Sequence, residues 1–278
     1  MVINYFTGSF SITSTGSYRY AHGSYSLYFA FPVLFFLTGV LSGRKFHPIF
    51  YVVCFCQFIG LILVQHRSAW LAFGLAAFLI VMLINRKLVL NKKLIAGLLS
   101  VLMITSFIYV LGGASGHSST LDRARTIVQY KGDPNAESRL SGWKKLIIER
   151  IQKYPLWGIG FGRELLPYEG YRNPHNSHLV LLARTGLIGF TFYLLFNYFF
   201  VKQLFILLKN RKTHPIFRNY AVGILSLYAF IMVFSSFNVV LELPYMGIFY
   251  WMILGLGIAL VNVNRKFMRN RNSEAFSS

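Results

Sequence analysis

Acidic residues are what this sequence has least of: 8 Asp and Glu stand against 28 Lys and Arg, a formal net charge of +20 over 278 residues. Charged residues of both signs make up only 13%, about half the share found in ordinary soluble domains. With 55% hydrophobic and 17% aromatic residues, the chain cannot be disordered, because disordered chains are poor in both. Nor does the positive charge describe a soluble nucleic-acid binder. The basic residues sit in short clusters between long apolar runs, not along one polar face, so no nucleic-acid partner is expected. Cysteine is scarce too. Cys54 and Cys56 lie two apart in one apolar run, about 200° apart on a helix, so they can neither chelate one metal nor pair with each other and serve as small apolar filler. Residues 1–24 lack a basic-then-apolar leader pattern, and no internal repeat or low-complexity tract is present. There is no Asp-x-Asp among the acids of residues 112–177, no His-Glu-x-x-His and no Gly-x-Ser-x-Gly. Those absences exclude a visible divalent-metal transferase site and a serine nucleophile elbow.

What remains is apolar length. Roughly 20 mostly apolar residues are needed to cross a bilayer, and seven such segments are predicted, at about 25–42, 48–64, 69–84, 94–111, 178–201, 219–237 and 244–263. The expected fold class is therefore an all-α integral membrane protein with about seven transmembrane helices and one large, partly helical outer loop. Spans 48–64 and 69–84 form a tight hairpin around Gln65-His66-Arg67-Ser68. Alternate connections carry 15 basic residues and a single acid, Glu274, which places them in the cytoplasm by the positive-inside rule. The expected organisation is an outer N-terminal segment 1–24, four spans in 25–111, a large outer loop 112–177 with an amphipathic helix, three spans in 178–263 and a basic cytoplasmic tail 264–278. An exported start without a leader predicts that Met1 is not the true beginning and that an odd number of spans precedes it; the alternative is a short tail translocated by its first span.

The outer loop carries the candidate chemistry. Ser138 is expected to cap a helix running to about residue 153, ahead of Pro155. Leu140, Trp143, Ile147 and Ile151 would share its apolar face, which would rest on the membrane or on the other spans. Arg139 would then occupy the first turn, where free N–H groups and the helix dipole favour an anion, making a phosphate site; the alternative is a solvated residue or a pair with Glu137. The run Pro155-Leu156-Trp157-Gly158-Ile159-Gly160-Phe161-Gly162 follows a helix and a proline, not a strand. It therefore reads as tightly turning backbone near the membrane and not as a dinucleotide fingerprint. His175 and His178 stand at the mouth of the fifth span with Asn176 between them. A shared metal lacks a third ligand at diagnostic spacing, and a capping or interface role is the alternative. Arg184, inside an apolar run, costs roughly 2.5–3.5 kcal/mol at a span centre and needs a polar partner, for which Glu242 is the natural candidate. Transfer chemistry on this face would have to stabilise its leaving group with Arg and Lys.

In order along the chain stand His66-Arg67-Ser68 between short spans, Arg139-x-x-x-Trp143, the Pro155–Gly162 run and His175-Asn176-x-x-Leu179. This set resembles the O-antigen ligase and O-antigen polymerase superfamily over roughly residues 20–260. The resemblance implies a metal-independent, cofactor-free glycosyltransferase of the bacterial inner membrane, with its active face in the periplasm. Its donor would be a polyprenyl-diphosphate-linked glycan. Its acceptor would be the lipid A-core in the ligase branch, or another lipid-linked repeat in the polymerase branch. By position, Arg67 and Arg139 match the arginines that hold the donor diphosphate, and His175 matches the histidine beside the acceptor hydroxyl. Asn176, His178, Arg184 and His66 are the further candidate substrate-binding residues. Family members have about a dozen spans, so seven here would leave five missing, again an odd number. Two positions depart from the pattern: a small hydroxyl residue usually precedes the hairpin arginine where this chain has His66, and an acid often stands at Arg184. A solute transporter, which would call for broken helices and intramembrane charges along a path, and an inactive fragment of a ligase-like gene are the rival readings.

Overall fold

The computed structural model describes residues 11–12, 18–19, 25–64, 66–84, 134–162 and 175–277, with side chains for 25–64, 66–84, 139–162 and 175–270. It is all-helical apart from a two-residue antiparallel pair, β1 (Ser11–Ile12) and β2 (Tyr18–Arg19). The chain divides into two compact units, Met1–Glu137 and Ser138–Ser278. The expected span 94–111 and most of the outer loop, 112–133 and 163–174, lie outside the described residues.

In the first unit, α1 (Tyr25–Leu41), α2 (Pro48–Leu63) and α3 (Arg67–Ile84) pack together. α1 buries Leu27, Ala30, Phe31, Leu34, Thr38 and Leu41, the three-and-four spacing of one helical face. Gly43, at φ +80°, ends it, a conformation only glycine adopts without strain. α3 buries Ala69, Ala72, Ala76 and Ile80. Small side chains let helix backbones approach closely in lipid, where helix association relies on packing. α2 begins at His47-Pro48: the imidazole Nδ1 accepts from Ile49 N at 3.4 Å, and proline at the first helical position lacks only an N–H that would have no intrahelical partner.

The second unit is built on three long helices, α5 (Ser177–Lys209), α6 (Pro215–Ser235) and α7 (Pro244–Ser277), preceded by α4 (Pro134–Leu146). α6 is the central one, with most of Ala221–Ser235 buried. It starts as α2 does, with His214 Nδ1 accepting from Ile216 N at 3.3 Å and Pro215 next. The outward faces of α5 and α7 are apolar; Phe192 on α5 and Trp251 on α7 are each more than 60% exposed, as lipid-facing positions are. α7 continues through the expected tail as helix to Ser277.

The amphipathic helix differs from expectation in where it starts. It begins at Pro134 and not after Ser138, because proline suits a first helical position; Arg139 therefore sits in the second turn, away from the free N–H groups. A second apolar position, Leu146, packs inward. Leu140 and Ile147 are exposed, whereas Leu146 packs on Ala183 with Leu179 and Ile151 around them. A π-turn over Ile147–Ile151, closed by Gln152 N donating to Ile147 O at 2.9 Å, adds one residue to the helical period. That insertion carries Ile151, five positions on, back to the face of Leu146.

Candidate functional site

The centre of the second unit is a break in α5. Gly186 has φ +65° and ψ −172°, a conformation essentially restricted to glycine. The break divides α5 into a short arm, 177–185, and a long arm, 187–209. The bend must be sharp. On a straight helix His178 and Tyr193 would stand about 22 Å apart, yet Tyr193 Oη and His178 Nδ1 are 3.3 Å apart. The long arm alone is about 34 Å long, enough to span a bilayer. The expected span 178–201 thus falls across the break, and the helix runs on to Lys209, with the short arm folded back on the long one.

A broken helix frees carbonyls on one side and N–H groups on the other. The glycine run satisfies both sets. Ile159 N donates to Ala183 O at 3.0 Å and Gly160 N to Arg184 O at 2.9 Å. In the other direction, Leu187 N donates to Pro155 O at 2.7 Å and Ile188 N to Leu156 O at 3.2 Å. Backbone crosses backbone here: a Cβ on Gly186 would stand 2.6 Å from Gly158 N and closer still to the Leu156 carbonyl, and a Cβ on Gly158 would meet Arg184. Gly158 and Gly160 also have positive φ. Around this crossing Trp157 and Phe161 are 75% and 69% exposed, as aromatic residues at a membrane interface are.

Arg184 closes the same junction. Its Nη1 donates to Gly160 O at 3.0 Å and Phe161 O at 3.1 Å, and its guanidinium lies 5.6 Å from the Phe161 ring centre. The expected Arg184–Glu242 pair is not formed. Glu242 Oε2 instead accepts from Ser177 Oγ at 2.8 Å, and that fully buried hydroxyl accepts from Val240 N at 2.8 Å and Leu241 N at 3.2 Å. The reason is geometric: the turn after α6 docks on the first residue of α5, two helical turns before Arg184.

Asn176 is buried and caps α5, its Oδ1 accepting from Leu179 N at 3.0 Å. His178 has both ring nitrogens engaged, Nε2 with Met232 O at 3.1 Å and Nδ1 with Tyr193, which opposes its sharing a metal with His175. Below it, Asn197 Oδ1 accepts from Tyr228 Oη at 2.7 Å and Tyr250 Oη at 2.9 Å, joining α5, α6 and α7. His175 differs from all of these: it is exposed and holds φ +49°, a left-handed conformation that histidine tolerates better than most residues but at a cost of about 1–3 kcal/mol. Arg139 is half-buried on α4, whose packing on the short arm runs through Leu146 and Ala183.

Arg67 opens α3 in the first unit, half-buried, and His66 is buried before it, its carbonyl accepting from Ala69 N at 2.9 Å and Trp70 N at 3.2 Å. Trp70 Nε1 donates back to Leu61 O at 3.1 Å, stapling the hairpin. Sequence reasoning missed Ser177 and Tyr193. The sign of the first was a serine directly after a capping Asn, and of the second a tyrosine seven residues past a helical glycine. The transport reading asked for a broken helix, and α5 is one; its four freed groups named above are met by protein backbone and are not on offer to a solute.

Long apolar helices, several of them long enough to cross a bilayer, define a multi-pass membrane protein. Residues 52–194, just over half the chain, match the O-antigen ligase family, and the chain belongs to that family. It is accordingly a membrane glycosyltransferase of the O-antigen ligase type, acting on lipid-linked glycans in polysaccharide biosynthesis. No curated protein matches it.

Proposed function

We propose that the chain moves a glycan from a polyprenyl-diphosphate carrier to a sugar hydroxyl at the periplasmic face of the inner membrane, as an O-antigen ligase, with its C-terminus in the cytoplasm. The observation that carries the reading is the family match, whose span includes Arg67, Arg139, His175 and the whole Gly158–Gly186 crossing. Support also comes from His175 being exposed and strained directly ahead of a capped, pinned helix, the setting in which strain persists at working residues.

In this mechanism Arg67 and Arg139 bind the donor diphosphate. The acceptor O–H attacks the anomeric carbon, the bond from that carbon to the phosphate oxygen breaks, and the electron pair leaves on the diphosphate. The guanidinium groups stabilise the growing negative charge without a metal ion. His175 accepts the hydroxyl proton, the general-base role for which imidazole is the most often used side chain. One displacement inverts the anomeric centre. Arg184, His178, Asn176 and His66 hold the surrounding backbone, on the evidence of their bonds and burial, and act on the substrate through it. The test is deletion of the gene in its host, with surface polysaccharide and carrier-linked glycan resolved on gels. Polymer that accumulates on the carrier without reaching lipid A supports the ligase reading. Loss of long polymer, with single repeats still attached, would replace it with the polymerase alternative.

A further inference from the structure

At the far end of α5 from the break lies a groove that the transferase reading does not use. Phe196, Phe199, Phe200 and Gln203 on α5 face Gly257, Ile258, Val261, Asn262 and Arg265 on α7, around a cavity of about 280 Å³. Each helix contributes one stripe at three-and-four spacing. The floor is where the helices touch: a Cβ on Gly257 would collide with the Phe200 ring. The walls are apolar and partly exposed, with Phe196, Phe199 and Ile258 each near half accessible. One end is polar. Arg265 Nη2 donates to the neutral Gln203 Oε1 at 2.7 Å, and Asn262 also lines that end. Among the described side chains the acids are Glu149 and Glu242; neither lines the groove. Gln203 is 17 residues beyond Gly186, about 25 Å along the helix, so the polar end falls at the membrane boundary opposite the break.

We propose that this groove binds one anionic phospholipid of the leaflet at the C-terminal ends of α5 and α7, its phosphate on Arg265 and the neighbouring Asn262 and Gln203 amides and one acyl chain along the phenylalanine wall. The charge complementarity selects this occupant. An isoprenoid tail would use the apolar wall but has nothing for the cationic end to bind, whereas a phosphodiester satisfies a guanidinium and the amide donors together. A chain buried between α5 and α7 also couples their spacing to the leaflet's composition.

The test is native mass spectrometry of the full chain in detergent, titrated with phosphatidylglycerol or phosphatidylcholine, a measurement independent of transferase activity. Phosphatidylglycerol is expected to be retained over phosphatidylcholine. Arg265→Gln should weaken that retention roughly tenfold, the loss of one charge-assisted bond, while Lys209→Gln, outside the groove, changes it by less than about twofold. Val261→Trp, which fills the groove and leaves Arg265 in place, should also abolish the preference. Equal losses from Arg265→Gln and Lys209→Gln would reduce the effect to general surface attraction and overturn the site. Loss with Val261→Trp alone would assign the groove to a hydrocarbon chain such as the carrier's isoprenoid and overturn the anionic headgroup.

Discussion

Replacing Gly186 with alanine tests the central construction of the second unit. The native φ of +65° with ψ near 180° costs a non-glycine residue about 1–3 kcal/mol. The new Cβ would also stand 2.6 Å from Gly158 N and closer to the Leu156 carbonyl, and backbone cannot swing aside as a flexible side chain could. If the crossing opens, the four bonds between 155–160 and 183–188 are lost. At about 0.5–1.5 kcal/mol net each, the total with strain reaches about 3–9 kcal/mol. The chain can escape that cost in one way, by letting α5 straighten into a continuous helix, which alanine favours. Nitroxide labels at positions 182 and 194, in a variant lacking Cys54 and Cys56, would then stand about 18 Å apart along the axis, where the bent native helix holds them closer. The expected result is a lengthened label distance together with a lowered midpoint of heat-induced aggregation in detergent. Gly255→Ala is the control, since nothing lies within 4 Å of its Cβ, and it should leave the midpoint unchanged or raised. A Gly186→Ala protein with native label distance and native midpoint would refute the reading of the crossing as obligatory.

Ser177→Ala should lower the same midpoint, because the Val240 and Leu241 N–H groups and the Glu242 carboxylate lose a buried partner, at about 1–3 kcal/mol for a group left unmet; an unchanged midpoint would show that the turn does not depend on the hydroxyl. Arg184→Lys keeps the charge but cannot reproduce a planar fork on the Gly160 and Phe161 carbonyls, so limited proteolysis should find the 155–162 segment more accessible, and equal cleavage would refute the clamp. Arg139→Ala is expected to cut glycan transfer in membranes about 10²–10³-fold, the cost typical of removing a charge-stabilising donor. His175→Ala is expected to cut it about 10²–10⁴-fold, the range for a general base, and full activity in either variant would remove that residue from the mechanism.

Most helix positions were legible in the sequence because lipid demands long apolar runs, and runs are local. Spans expected at 25–42, 48–64 and 244–263 correspond to α1, α2 and the first part of α7. The break in α5 was not legible, since Gly186 in an apolar run reads as a tolerated helical glycine. Only its non-local partner, Gly158, shows why it cannot be anything else. The same holds for Arg184, whose partners were sought among acids although backbone carbonyls met its guanidinium. Ser138 as a cap failed for a local reason, since Pro134 is the stronger start signal, and the π-turn that brings Ile151 round to the face of Leu146 was not legible where a uniform 3.6 was assumed. Of the candidate site residues, Asn176 and His178 could be placed by spacing at a helix mouth, but their bonds to Leu179, Met232 and Tyr193 could not.

The glycine crossing also has an order in time. Residues 155–160 leave the ribosome before the helix they seal, and the long arm 187–209 is by itself long enough to be recognised as a membrane insert. When that arm enters the bilayer, the segment carrying the Pro155 and Leu156 carbonyls and the Ile159 and Gly160 N–H groups has already been synthesised. The short arm can fold onto a waiting strip of backbone, and the helix ends need not meet lipid with their hydrogen bonds unmade. A deletion between 162 and 177 that shortened the tether would therefore act first on biogenesis, before any effect on the finished enzyme.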